Sequence, residues 1–170
     1  MGFVNNTHMA HYIPPTLFHI VTGTVTLVAG QVANTICAHI AATDEASVVT
    51  IPITVPSNSS DQKGAKLISV EIDFEITDAA CDAVDALIHL VTRGANGSVA
   101  TVSAPAFTYD TGNDTAAERY AVDEHKMVLT LTTPIWVDDD QYVLVQITFD
   151  KAATSEVDLY AAVANYTLRM

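Results

Sequence analysis

Nine consecutive residues, Ile68-Ser69-Val70-Glu71-Ile72-Asp73-Phe74-Glu75-Ile76, carry an apolar side chain at every even position and a polar or charged one at every odd position. That is the period of a strand with one dry face and one wet face, and a helix would scatter the same residues around its whole circumference. The stretch commits the chain to a sheet that is buried on one side. Val49-Thr50-Ile51-Pro52-Ile53-Thr54-Val55 repeats the pattern. Pro52 has no amide hydrogen to give a ladder, so it predicts an edge or a bulge there. Tyr142 to Phe149 alternates too, with its odd residues inward and Tyr142 and Leu144 giving the other face enough apolar character to predict cover on both sides.

Further strands are predicted at Leu17 to Val21, Thr24 to Val28, Ile36 to Ala41, Val84 to Thr92, Phe107 to Tyr109, Met127 to Thr132 and Leu159 to Leu168, each bounded by turn-forming residues. Eight to ten short strands at regular spacing, with no alternation of strands and helices, predict an all-β antiparallel sandwich or barrel. One helical turn is expected within Thr77 to Asp85, behind the N-cap candidate Thr77. Loops are expected at 56–64, 93–98, 110–118 and 138–140. Residues 1–16, ending in Pro14-Pro15, read as an N-terminal arm, and 17–170 as a single domain.

A chain of 170 residues is long enough to bury one real core. Seven Lys and Arg against 20 Asp and Glu leave a formal charge of −13. Such a surface repels phosphate backbones and anionic lipid, so neither nucleic acid nor a membrane is an expected partner. No stretch is long and apolar enough for a transmembrane helix. The two cysteines, Cys37 and Cys81, have no metal-site or disulfide spacing and are read as small buried thiols.

The most catalytic-looking phrase is Asp110-Thr111-Gly112, which follows a short apolar strand as it would in half of an aspartic protease site. Such sites also need a later apolar-apolar-Gly element, and no glycine follows Gly112, so a polar turn is expected. Asp110, Asn113, Asp114 and Glu118 in one loop and Asp138 to Asp140 in another could offer oxygens to calcium, but neither has an EF-hand spacing. No metal or other cofactor is therefore expected. His8, His11, His19, His39, His89 and His125 read as isolated strand or arm residues, His8 and His11 falling on opposite faces if extended. Trp136 is expected in the core, whereas Tyr109, Tyr120 and Tyr142 could form a sugar-binding platform.

Lys66-Leu67-Ile68-Ser69-Val70-Glu71-Ile72-Asp73-Phe74-Glu75-Ile76-Thr77-Asp78-Ala79-Ala80, Tyr109-Asp110-Thr111-Gly112-Asn113-Asp114-Thr115 and the ending Asn165-Tyr166-Thr167-Leu168-Arg169 resemble small structural proteins of tailed phages and environmental viruses. Their broader class includes jelly-roll capsid and decoration, or cement, proteins. The resemblance implies a jelly-roll-like sandwich, a trimeric or otherwise symmetric homo-oligomer, and a place on the outer surface of a virion capsid. There it would stiffen the shell by bridging copies of a major capsid protein, without catalysis. A carbohydrate- or calcium-binding adhesion module is the alternative expectation.

Overall fold

The computed structural model describes residues 6–30, 35–56, 64–94 and 98–169. Twelve strands are found among them: β1 (Asn6–Ile13), β2 (His19–Thr22), β3 (Val25–Ala29), β4 (Ile36–Ile40), β5 (Ala46–Ile53), β6 (Gly64–Thr77), β7 (Cys81–Thr92), β8 (Thr101–Ser103), β9 (Phe107–Tyr109), β10 (Glu124–Trp136), β11 (Gln141–Lys151) and β12 (Glu156–Arg169). A five-residue helix, α1 (Ala116–Tyr120), lies between β9 and β10. Two antiparallel sheets stack face to face, which makes the protein a jelly-roll-like β-sandwich as expected. The first sheet runs β3-β4-β12-β6-β10-β9, with β1 also on β12, and the second runs β2-β5-β11-β7-β8.

Alternation dictates what the sheets bury between them. Val70, Ile72, Phe74 and Ile76 of β6 face Val143, Val145, Ile147 and Phe149 of β11 across a core completed by Val49, Ile51, Met127, Leu129, Val157 and Leu159. The rings of Phe74 and Phe149 meet edge to face at 5.4 Å, so the two central strands interlock at the middle of the core. The predicted period slips at one place. Ser69 pairs with Asn165, but Tyr166 pairs with Leu67, so Ile68 is an extra residue on β6. Leu67 is consequently buried and Ile68 only half-buried, the expected effect of a bulge.

Pro52 lies opposite Leu144, while β2 pairs with β5 only at Val48 to Thr50, so no second strand needs the missing amide hydrogen. Tyr142 departs from expectation: it is exposed, and the outer face of β11 is not covered there. The helical turn predicted within Thr77 to Asp85 is instead a tight turn through Asp78, which has a positive φ of 66°, leading straight into β7. The helix forms later, where Thr115 and Glu118 cap each other's backbone amides at its start.

Where an arm was expected, β1 pairs along β12 from Asn6↔Arg169 to Ile13↔Ala162. Only Ile13 of this strand is buried, so it adds an edge to the sheet rather than mass to the core. Between β2 and β3, Gly23 turns the chain with φ +85°, and a Cβ there would lie 2.3 Å from Ser47 Oγ.

Candidate functional site

The outer face of the first sheet is polar, and its side chains are paired off in a regular way. Glu71 accepts from Asn165 Nδ2 at 2.7 Å and meets Lys126 Nζ at 2.6 Å. Tyr160 donates its hydroxyl to Glu75, and burial together with this bond pushes the phenol well above its ordinary range. His39 Nδ1 lies 2.8 Å from Asp158 Oδ1. Two neighbouring carboxylates on this face are not paired in this way. Asp73 and Glu124 have no hydrogen-bond or ion-pair partner for their side chains among the described residues, and Lys126 attracts Asp73 only at longer range.

Both line a cleft of about 690 Å³ whose remaining walls include Tyr12, Pro14, Pro15, Ile36, Tyr160 and Ala161. Its position follows from the strand pairing. The outer edge of β12 is covered by β4 at Val157 to Leu159 and by β1 from Ala162 onward, so the edge changes partner at Tyr160 and Ala161. Tyr160 is also an extra residue relative to β6, since Leu159 pairs with Phe74 and Ala161 with Asp73. Tyr160 follows the inward Leu159 and so points to the outer face, and the bulge keeps Ala161 on that face as well, opposite Asp73. Two smaller hollows share the Glu124 and Lys126 walls: one adjoins the cleft at Asp73 and Tyr160, and the other carries the depression on toward Asn113.

Burial raises the pKa of Asp73 above its ordinary value of 3.8, Lys126 partly opposing and Glu71 reinforcing the shift. A carboxyl whose folded pKa is raised favours the folded state most when protonated, and loses that contribution as pH climbs from its ordinary pKa through the raised one. Asp73→Asn should therefore raise the urea midpoint at neutral pH and leave it unchanged near about pH 3, where both states carry the proton. A lower midpoint at neutral pH would contradict the partnerless carboxylate.

The other candidates have structural tasks. Asp110 Oδ1 accepts from Val128 N at 2.8 Å and Asn113 Nδ2 at 3.1 Å, and Oδ2 from Gly112 N at 3.3 Å. Its carboxylate is consumed in closing a turn onto β10, which accounts for the Asp-Thr-Gly phrase without catalysis. Glu118 caps α1, and Asp139 and Asp140 use backbone carbonyls to hold Arg93. No group of three side chains able to hold a metal ion occurs among the described residues.

The histidines do not converge. His8 and His11 lie opposite Thr167 and Ala164 on different faces, His19 is exposed on β2 and His89 lies on β7, while His125 stacks on Phe74 at 4.7 Å and reaches Ala121 O at 2.9 Å. Cys37 and Cys81 are buried and free, and burial pushes each thiol up to about 11. Trp136 corrects the expectation of a core residue: it is half-buried, with Lys66 Nζ 5.6 Å from its ring centre.

The expected tyrosine platform does not form either. Tyr109 and Tyr120 flank the Arg119 guanidinium, at 4.2 and 5.8 Å, and Tyr142 stands on the outer face of the other sheet. The rings that line the cleft are Tyr12 and Tyr160. Tyr12 lies in a segment read as an arm, and Tyr160 takes its outward place from the alternation that buries Val157 and Leu159.

No protein-family model matches the chain, and no curated protein matches it. Among solved structures it is similar to the CBM22-1–GH10 modules of Clostridium thermocellum xylanase 10B, solved with xylohexaose, at 6% identity and a TM-score of 0.46, over 92% of this chain and 27% of that one. It is also similar to TmCBM61, solved with β-1,4-galactotriose, at 9% identity and a TM-score of 0.43, over 90% of this chain and 87% of that one. The enzymatically active domain of bacteriophage CBA120 tailspike protein 4 matches at 8% identity and a TM-score of 0.41, over 88% of this chain and 19% of that one. The chain thus spans about a quarter of the first of these proteins and most of the second. The likeness extends to the sandwich arrangement of strands and no further.

Proposed function

We propose that this chain is a non-catalytic carbohydrate-binding β-sandwich module that takes a glycan into the cleft between Tyr12 and Glu124. One observation carries the reading: two carboxylates without hydrogen-bond or ion-pair partners among the described residues, Asp73 and Glu124, open beside two tyrosine rings in one depression. A sugar ring has an apolar face that packs on an aromatic ring, and hydroxyls that donate strong hydrogen bonds to carboxylates. The cleft has the size and the mixed lining of a small-molecule site. Calorimetric titration against a panel of oligosaccharides should find binding, with the sugar recovered uncleaved. Tyr12→Ala, which removes an exposed ring and leaves the core intact, should weaken binding at least about tenfold. Absence of binding to any panel member at millimolar concentration would overturn the reading, and cleavage of the bound sugar would overturn its non-catalytic part.

A second reading is favoured by a different surface. A decoration or minor capsid role, in which the chain sits on the outer surface of a virion and bridges major capsid subunits, needs apolar rims for association. The exposed apolar residues Leu17, Ile20, Val21, Leu27 and Val28 lie together on and around β2 and β3. The two readings are compatible, because a shell-bound module can present a glycan cleft outward.

A further inference from the structure

We infer that the side of the sandwich bounded by β2 and β3 is an interface with a second copy of this chain, independently of what the cleft binds. The register gives the first reason. Ile20 lies opposite Val49, and Leu27 opposite Ala38. Val49 and Ala38 are core residues, so Ile20 and Leu27 are on the core side of their strands, yet they are 43% and 56% exposed. The sandwich is open at this rim, and side chains that the alternation assigns to the interior meet water.

The sheet edges give the second reason. β2 ends one sheet and β3 ends the other, and the two strands are joined through the turn at Gly23. Each therefore turns backbone donors and acceptors outward with no further strand beside it among the described residues. The opposite side of the sandwich ends in β8 and β9, which are three residues each. Very short edge strands and charged side chains are the usual defences against edge-to-edge pairing. The β2–β3 rim has no charged side chain, and its strands, of four and five residues, are both longer than β8 and β9.

Charge identifies the occupant. The chain carries −13, but no Asp, Glu, Lys or Arg precedes Asp44, so β1 to β4 are entirely uncharged. Two identical copies repel wherever their acidic surfaces approach, and this rim, like the β1 edge, is a face on which they meet without like charges. A basic partner would find complementary charge elsewhere on the molecule and none here. A second copy offers a neutral edge of matching length, with strands able to pair antiparallel and residues to close both open cores.

Light scattering at micromolar concentration should give the full chain a mass that is a defined multiple of 18.1 kDa, and a dimer or a trimer supports the proposal equally. The double variant Val21→Asp, Leu27→Asp should dissociate at least about tenfold more readily. Leu87→Asp, at a comparably exposed residue on the outer face of β7 and away from this rim, should leave the oligomer intact. Amide exchange in β3 of the unmodified protein should slow as protein concentration rises, a readout that survives if the double variant fails to fold. A monomeric unmodified chain, an oligomer indifferent to the double substitution, or β3 exchange independent of concentration would each overturn the interface. Glycan titration of the dissociated variant separates the two ideas, because loss of the interface leaves the cleft of each copy in place.

Discussion

Phe74→Ala should destabilise the protein by about 3–5 kcal/mol, the cost of deleting a ring from a core that cannot collapse around the void. Phe74 is 1% exposed on β6, which has β12 on one side and β10 on the other, so backbone shifts at this position would strain two ladders. The substitution also removes the edge contact to Phe149 at 5.4 Å and the stack on His125 at 4.7 Å. The melting temperature should fall by roughly 10 °C at this chain length. Phe74→Leu, which keeps most of the volume, should cost less than half as much. A loss below about 1 kcal/mol in urea unfolding of Phe74→Ala would mean that the two sheets do not meet at this ring.

Arg119→Ala should cost about 2–4 kcal/mol, through polar groups left unpaired rather than through lost volume. The guanidinium is almost fully buried beneath α1. Its Nε donates to Val84 O at 3.1 Å, and its Nη1 donates to Asn113 O at 2.9 Å and Asp114 O at 3.3 Å. It also packs 4.2 Å from the centre of the Tyr109 ring. One side chain thus ties the turn after β9 to β7 of the other sheet. Lysine has a single ammonium and no planar fork, so Arg119→Lys should recover little of the loss. Urea midpoints of the two variants within a few tenths of a kcal/mol of the parent would contradict this role.

The strands were legible because period-two alternation is written in consecutive residues, as in Ile68 to Ile76. What escaped was whatever depended on pairing with distant sequence. β1 has no buried face except at Ile13, so nothing in Asn6 to Tyr12 alternates in a way that announces a strand. The slip at Ile68 and the bulge at Tyr160 arise from how β6, β10 and β12 align, and a single segment carries no trace of that alignment. The helix at Ala116 was missed although its capping pair Thr115 and Glu118 was readable, because five residues carry too little apolar period to stand out.

The candidate site was less legible still. Asp110 reads as a chemical group and is a turn closure, because Val128 of β10 takes one oxygen and Gly112 of the turn the other. Asp73 was visible only as the wet position of an alternating strand. It stands apart because its neighbours Glu71 and Glu75 have Asn165, Lys126 and Tyr160 as partners and it does not. That distinction rests on residues some ninety positions away in the chain, such as the pair Asn165 and Glu71.

The central claim, a glycan cleft between Tyr12 and Glu124, is tested most directly by an amide chemical-shift titration of the protein with an oligosaccharide that it binds. The account predicts saturable shifts concentrated at Tyr12, Ile36, Asp73, Glu124, Tyr160 and Ala161, which disappear in Tyr12→Ala. Shifts centred instead on the opposite sheet, around Leu87 and Tyr142, or saturable binding that leaves the cleft residues unmoved, would contradict it.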